Sequence, residues 1–319
     1  ASWRFINFCD MKKRYRKRYR TLTAQVGLLE KRGLEIDLPR LDAEAFLRVA
    51  NYYRFTGFAL PFMKTRTKFL PSAKFSAVKA VCEYDKAIRG LLFEGLCAVE
   101  LAFRSTLAGK FSHAYGPLGY LDWANFANRK SAKGTVARML KEYSGSKETC
   151  AVHLQEKYEN PPLWSLVETV TFGKLSFFYR SLSRSMQDAI ADDYGIKAAY
   201  FGEYLQHMTV LRNKCAHHSR LYDISLYPPK MPGYTYSFSE LREWRKLKRK
   251  HGVALNAKRP IFYQFALVYR MLKNCPAVYF DREEWKRRVC KRLDALPVTP
   301  DADLRLKLAI PTQPEKSFL

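Results

Sequence analysis

From Phe75 to Phe111 the residues Val78, Val81, Ile88, Leu91, Leu92, Leu96, Val99, Phe103 and Leu107 recur at three- and four-residue spacing. That is the period of a helix burying one face, and an alternating strand does not produce it. The segment reads as one long helix or two consecutive ones, with Gly90 and Gly95 permitting a bend or close packing. An all-α fold is expected around it.

The rest of the chain supports that class. Thr23 to Arg32 reads as a short helix stopped by Gly33. A second helix is expected from Asp42, acting as its cap, through Phe46, Leu47 and Val49 to Tyr53. Arg54 to Phe62 is aromatic and ends at Pro61. Tyr52, Tyr53, Phe55 and Phe58 read as a packed aromatic core or, alternatively, as a surface for unpaired bases. Gly116 to Asn128 reads as loop, Val136 to Lys141 as a short helix, and Ser144 to Glu148 as a flexible linker. Pro161 and Pro162 announce a helix carrying Trp164, Leu166, Val167, Val170, Phe172 and Leu175. A break at Gly173 is expected, then a continuation over Phe177 to Met186. Tyr200 to Arg220 is a further helix, with Val210, Leu211 and Cys215 facing the core.

Residues 228–239, PPKMPGYTYSFS, form a proline- and glycine-containing break and are taken as a boundary. Beyond it, Leu241 to Lys250, Pro260 to Lys273 and Glu283 to Leu293 read as helices with basic faces. The tail from Pro297 to Leu319 is expected to be extended or poorly ordered. The expected organisation is an arm over residues 1–20, a helical region over 21–75, a helical bundle over 76–227 and a basic helical extension over 228–319.

Charge decides the class of partner. The chain has 319 residues, 47% of them hydrophobic, so a folded protein is expected, and its net charge is +26. A surface that positive repels itself unless something neutralises it, and nucleic acid is the obvious neutraliser. No segment approaches about 18 uncharged apolar residues, so a membrane span is not expected. No signal-peptide pattern follows Ala1, and a cytoplasmic location is expected. The seven cysteines are odd in number, scattered and without a CxxC pair. A zinc site and a disulfide framework are therefore both disfavoured. No metal and no cofactor is expected, since no Walker loop, GxGxxG or GxSxG is present.

Chemistry concentrates at residues 211–222, LRNKCAHHSRLY. Arg212 is a permanent cation whose planar fork suits phosphate. His217 is the side chain best placed to exchange protons near neutral pH. RNA carries its own nucleophile in the ribose 2′-hydroxyl, so a histidine and an arginine suffice in principle to cut it without a metal. At about 100° per residue the two lie roughly 140° apart around a helix. Asn213 and His217, four apart, share a face, so Asn213 is expected to orient or flank the imidazole. His218 points about 100° away and reads as a structural hydrogen-bonder. Only one Arg-x4-His motif exists in the chain, so a second protomer is the expected source of a paired acid and base.

This segment resembles the HEPN ribonuclease signature, Arg-Asn-x-x-Ala-His. LRVANYYRFTGFALPF at 47–62, YDKAIRGLLFEGLCAVELAFRSTLAGKF at 84–111 and PPLWSLVETVTFGKLSFFYRSL at 161–182 resemble, in order, blocks of the abortive infection proteins of the AbiD/AbiF type. The resemblance covers about residues 20 to 230. It implies a HEPN helical bundle, a role in phage defence, a non-coding RNA partner and a relationship to the HEPN domains of type VI CRISPR effectors. It places Arg212, His217 and Asn213 in a catalytic role. It also allows Glu100 and Arg104, four apart, to face the signature helix, with Glu100 steering Arg212; otherwise they form a surface ion pair, worth little.

RNA contact is expected from the arm MKKRYRKRYR, through Lys12, Lys13, Arg14, Tyr15, Arg16, Lys17, Arg18 and Arg20, with Tyr15 and Tyr19 able to stack on bases. Asn51, Arg54 and Arg220 are further candidates. In the basic helices the candidates are Arg245, Lys246, Lys248, Arg249, Lys250, Arg287 and Arg288, because few acids interleave there. The leading reading is a metal-independent endoribonuclease acting as a homodimer and bound to a non-coding RNA. The alternatives are a non-catalytic ribonucleoprotein component and the toxin of a toxin–antitoxin pair.

Overall fold

A computed structural model describes residues 18–221, 226, 261–300, 304–308, 310–311 and 313–318. The break at 228–239, the Leu241–Lys250 segment and the arm residues 11–17 lie outside them. Among the described residues the protein is all-α, with one two-stranded hairpin. The chain groups into two compact units, residues 1–82 and 83–319.

The first unit begins with α1 (Leu22–Lys31), capped by the Thr21 hydroxyl and followed by Gly33 at φ 91°. Next come α2 (Arg40–Ala50), α3 (Tyr52–Phe58), a 3-10 turn at Leu60–Phe62, and the hairpin β1 (Met63–Thr65) and β2 (Lys68–Phe69). Asp42 does not cap α2. The helix starts two residues earlier, behind Pro39, and leaves Asp42 in its first turn, where a negative charge suits the helix N-terminus. Nor does α2 reach Tyr53. Asn51 adopts φ 63°, which ends α2, and its side-chain oxygen accepts from Tyr53 N at 2.9 Å, which starts α3. With ψ at 139° this lies outside the left-handed helical well and is strained for a residue with a Cβ, so the side-chain bond to Tyr53 N helps to hold it.

The aromatic stretch divides between core and surface. Phe55 and Phe58 are buried, and Phe55 stacks on Phe75 at 4.5 Å; Tyr53 stays 66% exposed.

The organising helix is one element, α4 (Phe75–Tyr115). Asp37 caps it by accepting from Ser76 N at 2.9 Å. In the second unit its buried stripe runs Ile88, Leu92, Leu96, Val99, Phe103, Leu107 and Phe111. The chain continues through α5 (Arg129–Ser144), α6 (Thr149–Gln155), α7 (Leu163–Thr169), α8 (Phe172–Ser181), α9 (Arg184–Asp192) and α10 (Ala198–Ala216); α8 and α10 meet α4 and each other, α5 packs on α7 and α8, and α9 packs on α10. Phe103 is the hub, within about 6 Å of the rings of Phe172, Tyr179 and Phe201.

Several boundaries differ from expectation. α5 starts at Arg129, capped by Asn128, because its first turns bury only Ala132 and Thr135 and carry no long apolar signal. The break before α8 falls at Val170 and Thr171, whose extended backbones interrupt the helix, and Gly173 lies inside α8. α8 ends at Ser181, and Ser183 caps α9 with its hydroxyl.

The C-terminal elements are α11 (Ile261–Met271), α12 (Arg282–Asp294) and α13 (Leu304–Lys307). α11 has no basic face. Ile261 to Tyr269 are all buried. α12 docks on α4 through Trp285, whose indole N–H donates to Leu91 O at 2.8 Å. Gly95 makes that approach possible: a Cβ there would lie 2.8 Å from both the Trp285 ring and Val268. Part of the tail, expected to be extended or poorly ordered, is packed among the described residues. Leu304, Leu308, Ile310 and Phe318 are buried, and the Phe318 ring stands against Phe262 and Tyr269 at about 5 Å.

Candidate active site at the end of the signature helix

α10 buries Tyr204, Leu205, Met208, Leu211 and Cys215 along one stripe. Val210 does not belong to it. It lies on the outward side with Asn213 and His217, and is 41% exposed. Burial pushes the Cys215 thiol up to about 12, so this cysteine behaves as a small apolar residue. His207 is a satisfied core histidine, with Nε2 2.6 Å from Gln264 Oε1.

The stripe leaves Arg212 at the rim of the fold, 35% exposed, against α4. There Glu100 is buried and takes two guanidinium groups. Its Oε1 accepts from Arg104 Nη2 at 2.5 Å, and its Oε2 lies 3.1 Å from Arg212 Nε. The second contact is an ion pair without the alignment of a hydrogen bond, since Arg212 Nε has no hydrogen-bond acceptor. Arg104 is also buried and donates to Val167 O, which anchors it to α7. The pair expected as a possible surface feature is therefore interior, where losing one partner strands a charge. One carboxylate facing two guanidinium groups leaves the cluster net positive. The Arg212 guanidinium also sits 5.9 Å from the Phe93 ring centre, and its Nη1 lies 3.4 Å from Asn213 Oδ1. Cys97, one turn before Glu100, is raised by burial and by the Glu100 charge, with Arg212 opposing.

His217 is the C-cap of α10, with its backbone N–H donating to Asn213 O at 2.9 Å. Its ring is exposed and makes no hydrogen bond or ion pair among the described residues. The side-chain oxygen of Asn213 goes to Arg212 rather than to the imidazole. His218 adopts φ 53°, with its N–H donating to Cys215 O at 3.1 Å, while Ser219 N donates to Lys214 O at 2.8 Å. This pair of bonds around a left-handed residue is a Schellman ending. It turns the chain immediately after His217.

Two residues that sequence reasoning does not single out hold that turn. Asp85 is fully buried in α4, and its Oδ1 accepts from Leu221 N at 2.7 Å. Arg89 pairs with Asp85 and donates to Ser219 O at 3.4 Å. The one signal in the sequence is an acid standing on the apolar stripe between Val81 and Ile88, one helical step from each.

The other expected site residues scatter. Arg18, Arg20, Asn51 and Arg54 lie in the first unit, Arg54 half-buried. Arg220 is half-buried beside the Asp85 clamp. Arg287 and Arg288 are not free basic residues: Arg287 pairs with Glu284 at 2.6 Å, and Arg288 pairs with Glu94 across to α4. Acids three residues away and on the facing helix supply partners that the basic run concealed. Lys12, Lys13, Arg14, Tyr15, Arg16, Lys17, Arg245, Lys246, Lys248, Arg249 and Lys250 lie outside the described residues. Among those described, no His, Cys, Asp and Glu residues group to hold a metal, and no helix is long and apolar enough to cross a membrane.

The central helix sets buried Glu100 against Arg212 near the end of α10, and the class of site this defines is a net-positive side-chain cluster close in sequence to an exposed histidine. The family profile described as Abi-like protein matches residues 45–223, more than half of the chain and a span that includes Glu100, Arg104, Arg212 and His217. The chain belongs to that family, and its membership supports a role in phage defence by abortive infection. No curated protein and no solved structure matches the chain significantly.

Proposed function

We propose that the second unit is a HEPN-type bundle, related to those of type VI CRISPR effectors, and that it cuts RNA as a metal-independent homodimer. The supporting observation is an Arg212 guanidinium braced by buried Glu100, followed five residues on by an exposed His217 whose ring has no hydrogen bond or ion pair among the described residues. The 2′-oxygen attacks the adjacent phosphorus, and the bond from phosphorus to the 5′-oxygen breaks. One histidine takes the 2′-hydroxyl proton, and a second protonates the leaving 5′-oxygen. Arg212 stabilises the charge on the phosphoryl oxygens. The products are a 2′,3′-cyclic phosphate and a 5′-hydroxyl. One chain brings one such pair, so the second histidine comes from a second copy. The dimer reading assigns Leu101, next to Glu100, and Val210, two residues before Arg212, to the face that meets that copy; they are 42% and 41% exposed.

Incubation of RNA with the protein in EDTA tests the reading. Cleavage with cyclic-phosphate ends that disappears in His217→Ala supports it. Cleavage that survives in His217→Ala, or that needs added magnesium, overturns it.

A second reading has its own observation. In the resting state the Arg212 charge is already engaged by Glu100. The protein is then a component of a ribonucleoprotein whose site is latent, and the same assay shows intact RNA bound equally by both proteins.

A further inference from the structure

We infer that the concave face of the N-terminal unit is a binding groove for an unpaired strand of RNA. The inference shares the RNA partner of the proposed function but does not depend on cleavage.

The groove has a volume of about 1590 Å³. Among the described residues six cations line it, Arg18, Arg20, Arg32, Arg48, Lys64 and Arg66, and no carboxylate does. None of the six makes an ion pair among the described residues, although elsewhere in the same unit Arg40 pairs with Glu30 and Lys74 with Glu35. Six like charges around one concavity repel each other, and the arrangement is stabilised only by a polyanion or by screening salt. Acids do occur in this unit, so their absence from the groove is local, not a result of overall composition.

Chain breaks build the groove. Arg32 follows the end of α1, just before the Gly33 turn. Arg48 occupies the last turn of α2. The positive φ of Asn51 then turns the chain so that Tyr52 and Tyr53 open α3 on the same concavity. Arg66 sits at the tip of the β1–β2 hairpin. Arg32 donates to the Tyr52 hydroxyl at 2.9 Å, which fixes that ring, and the Tyr53 ring stands edge-on to it at 6.1 Å. Tyr53 is 66% exposed and Tyr19 is 87% exposed.

Rings interleaved with cations distinguish the ligand. A duplex buries its base faces and offers phosphates alone, whereas an unpaired strand offers both phosphates and stacking surfaces. A flat lipid surface would meet protruding apolar residues, not rings set within a concavity. The basic run 11–20 ends at this groove, and its last members, Arg18, Tyr19 and Arg20, line it.

The test uses the full chain carrying His217→Ala, so that RNA stays intact, with and without groove substitutions. The probes are a labelled uridine-rich single strand, a blunt RNA duplex of equal length and anionic phosphatidylserine vesicles. Arg48, Lys64 and Arg66 are all exposed, so the triple alanine variant should fold, as a melting curve will check. It is expected to weaken strand binding at least about tenfold and to flatten the salt dependence by about two, near 0.7 for each phosphate no longer neutralised. Tyr53→Ala is expected to weaken strand binding about tenfold with the salt dependence unchanged. Strand affinity unmoved by either variant, an equal loss for duplex, or a loss confined to vesicles would each overturn the inference. The two proposals fail separately. A protein that never cuts RNA but binds the strand through these residues refutes only the nuclease, and one that cuts RNA while both groove variants bind normally refutes only the groove.

Discussion

The arginine half and the histidine half of the candidate site are built in opposite ways. Arg212 leans on Glu100, which is buried, shared with Arg104 and tied through it to α7. The carboxylate that places the guanidinium is interior. His217 has an exposed ring, and only its backbone is positioned, by the Schellman ending and by Asp85 and Arg89 beneath the turn. The group that would stabilise charge is thus preorganised within the fold, while the group that would move protons is left for a substrate or a second chain to engage.

The strongest way to break this comparison is to remove the support under the histidine. Asp85→Ala strands Arg89 in the interior and frees Leu221 N, and a loss of about 3–5 kcal/mol is expected in denaturant unfolding. A loss below about 1 kcal/mol would mean that the turn is held by other contacts. On the arginine side, Glu100→Gln removes the charge shared by Arg104 and Arg212. RNA cleavage should fall about a hundredfold, the scale of a displaced charge-stabilising donor. If that variant cuts RNA normally, the Glu100 brace has no functional role.

A smaller effect sharpens the contrast. His217→Gln should leave unfolding stability within about 0.5 kcal/mol of the native value, because the ring is exposed and makes no hydrogen bond or ion pair among the described residues. The thiols give the mildest check. Cys215 and Cys290 are pushed up to about 12 by burial, so both stay protonated at pH 8 and only approach thiolate near pH 12. Maleimide at pH 8 should leave both unmodified in the native protein, as mass spectrometry of the digested product would show.

Much of this architecture is legible in the sequence because it is periodic. The Phe75–Phe111 stripe announces α4, and the four-residue spacing of Glu100 and Arg104 puts them on one face. What is not legible depends on backbone or on partners far away in sequence. Asn51 at φ 63° splits α2 from α3 with no apolar signal. α11 is buried on every side, which no one-face period reports. Arg288 reads as a free cation until α4 brings Glu94 against it. The amide of Asn213 shares a face with His217, yet the long Arg212 side chain reaches it. Asp85 is visible as an acid on an apolar stripe, but its partner, Leu221 N, emerges only from the fold.

The most direct test of the central claim, that the histidine half is completed by a second copy, is subunit mixing. Wild-type and His217→Ala chains carrying different tags are co-expressed at several ratios, and RNA cleavage in EDTA is measured on the purified mixture. The account predicts activity that falls as the square of the wild-type fraction, with the mixed dimer inactive. Activity that falls in direct proportion to that fraction would mean that each chain carries a complete site, and would contradict it.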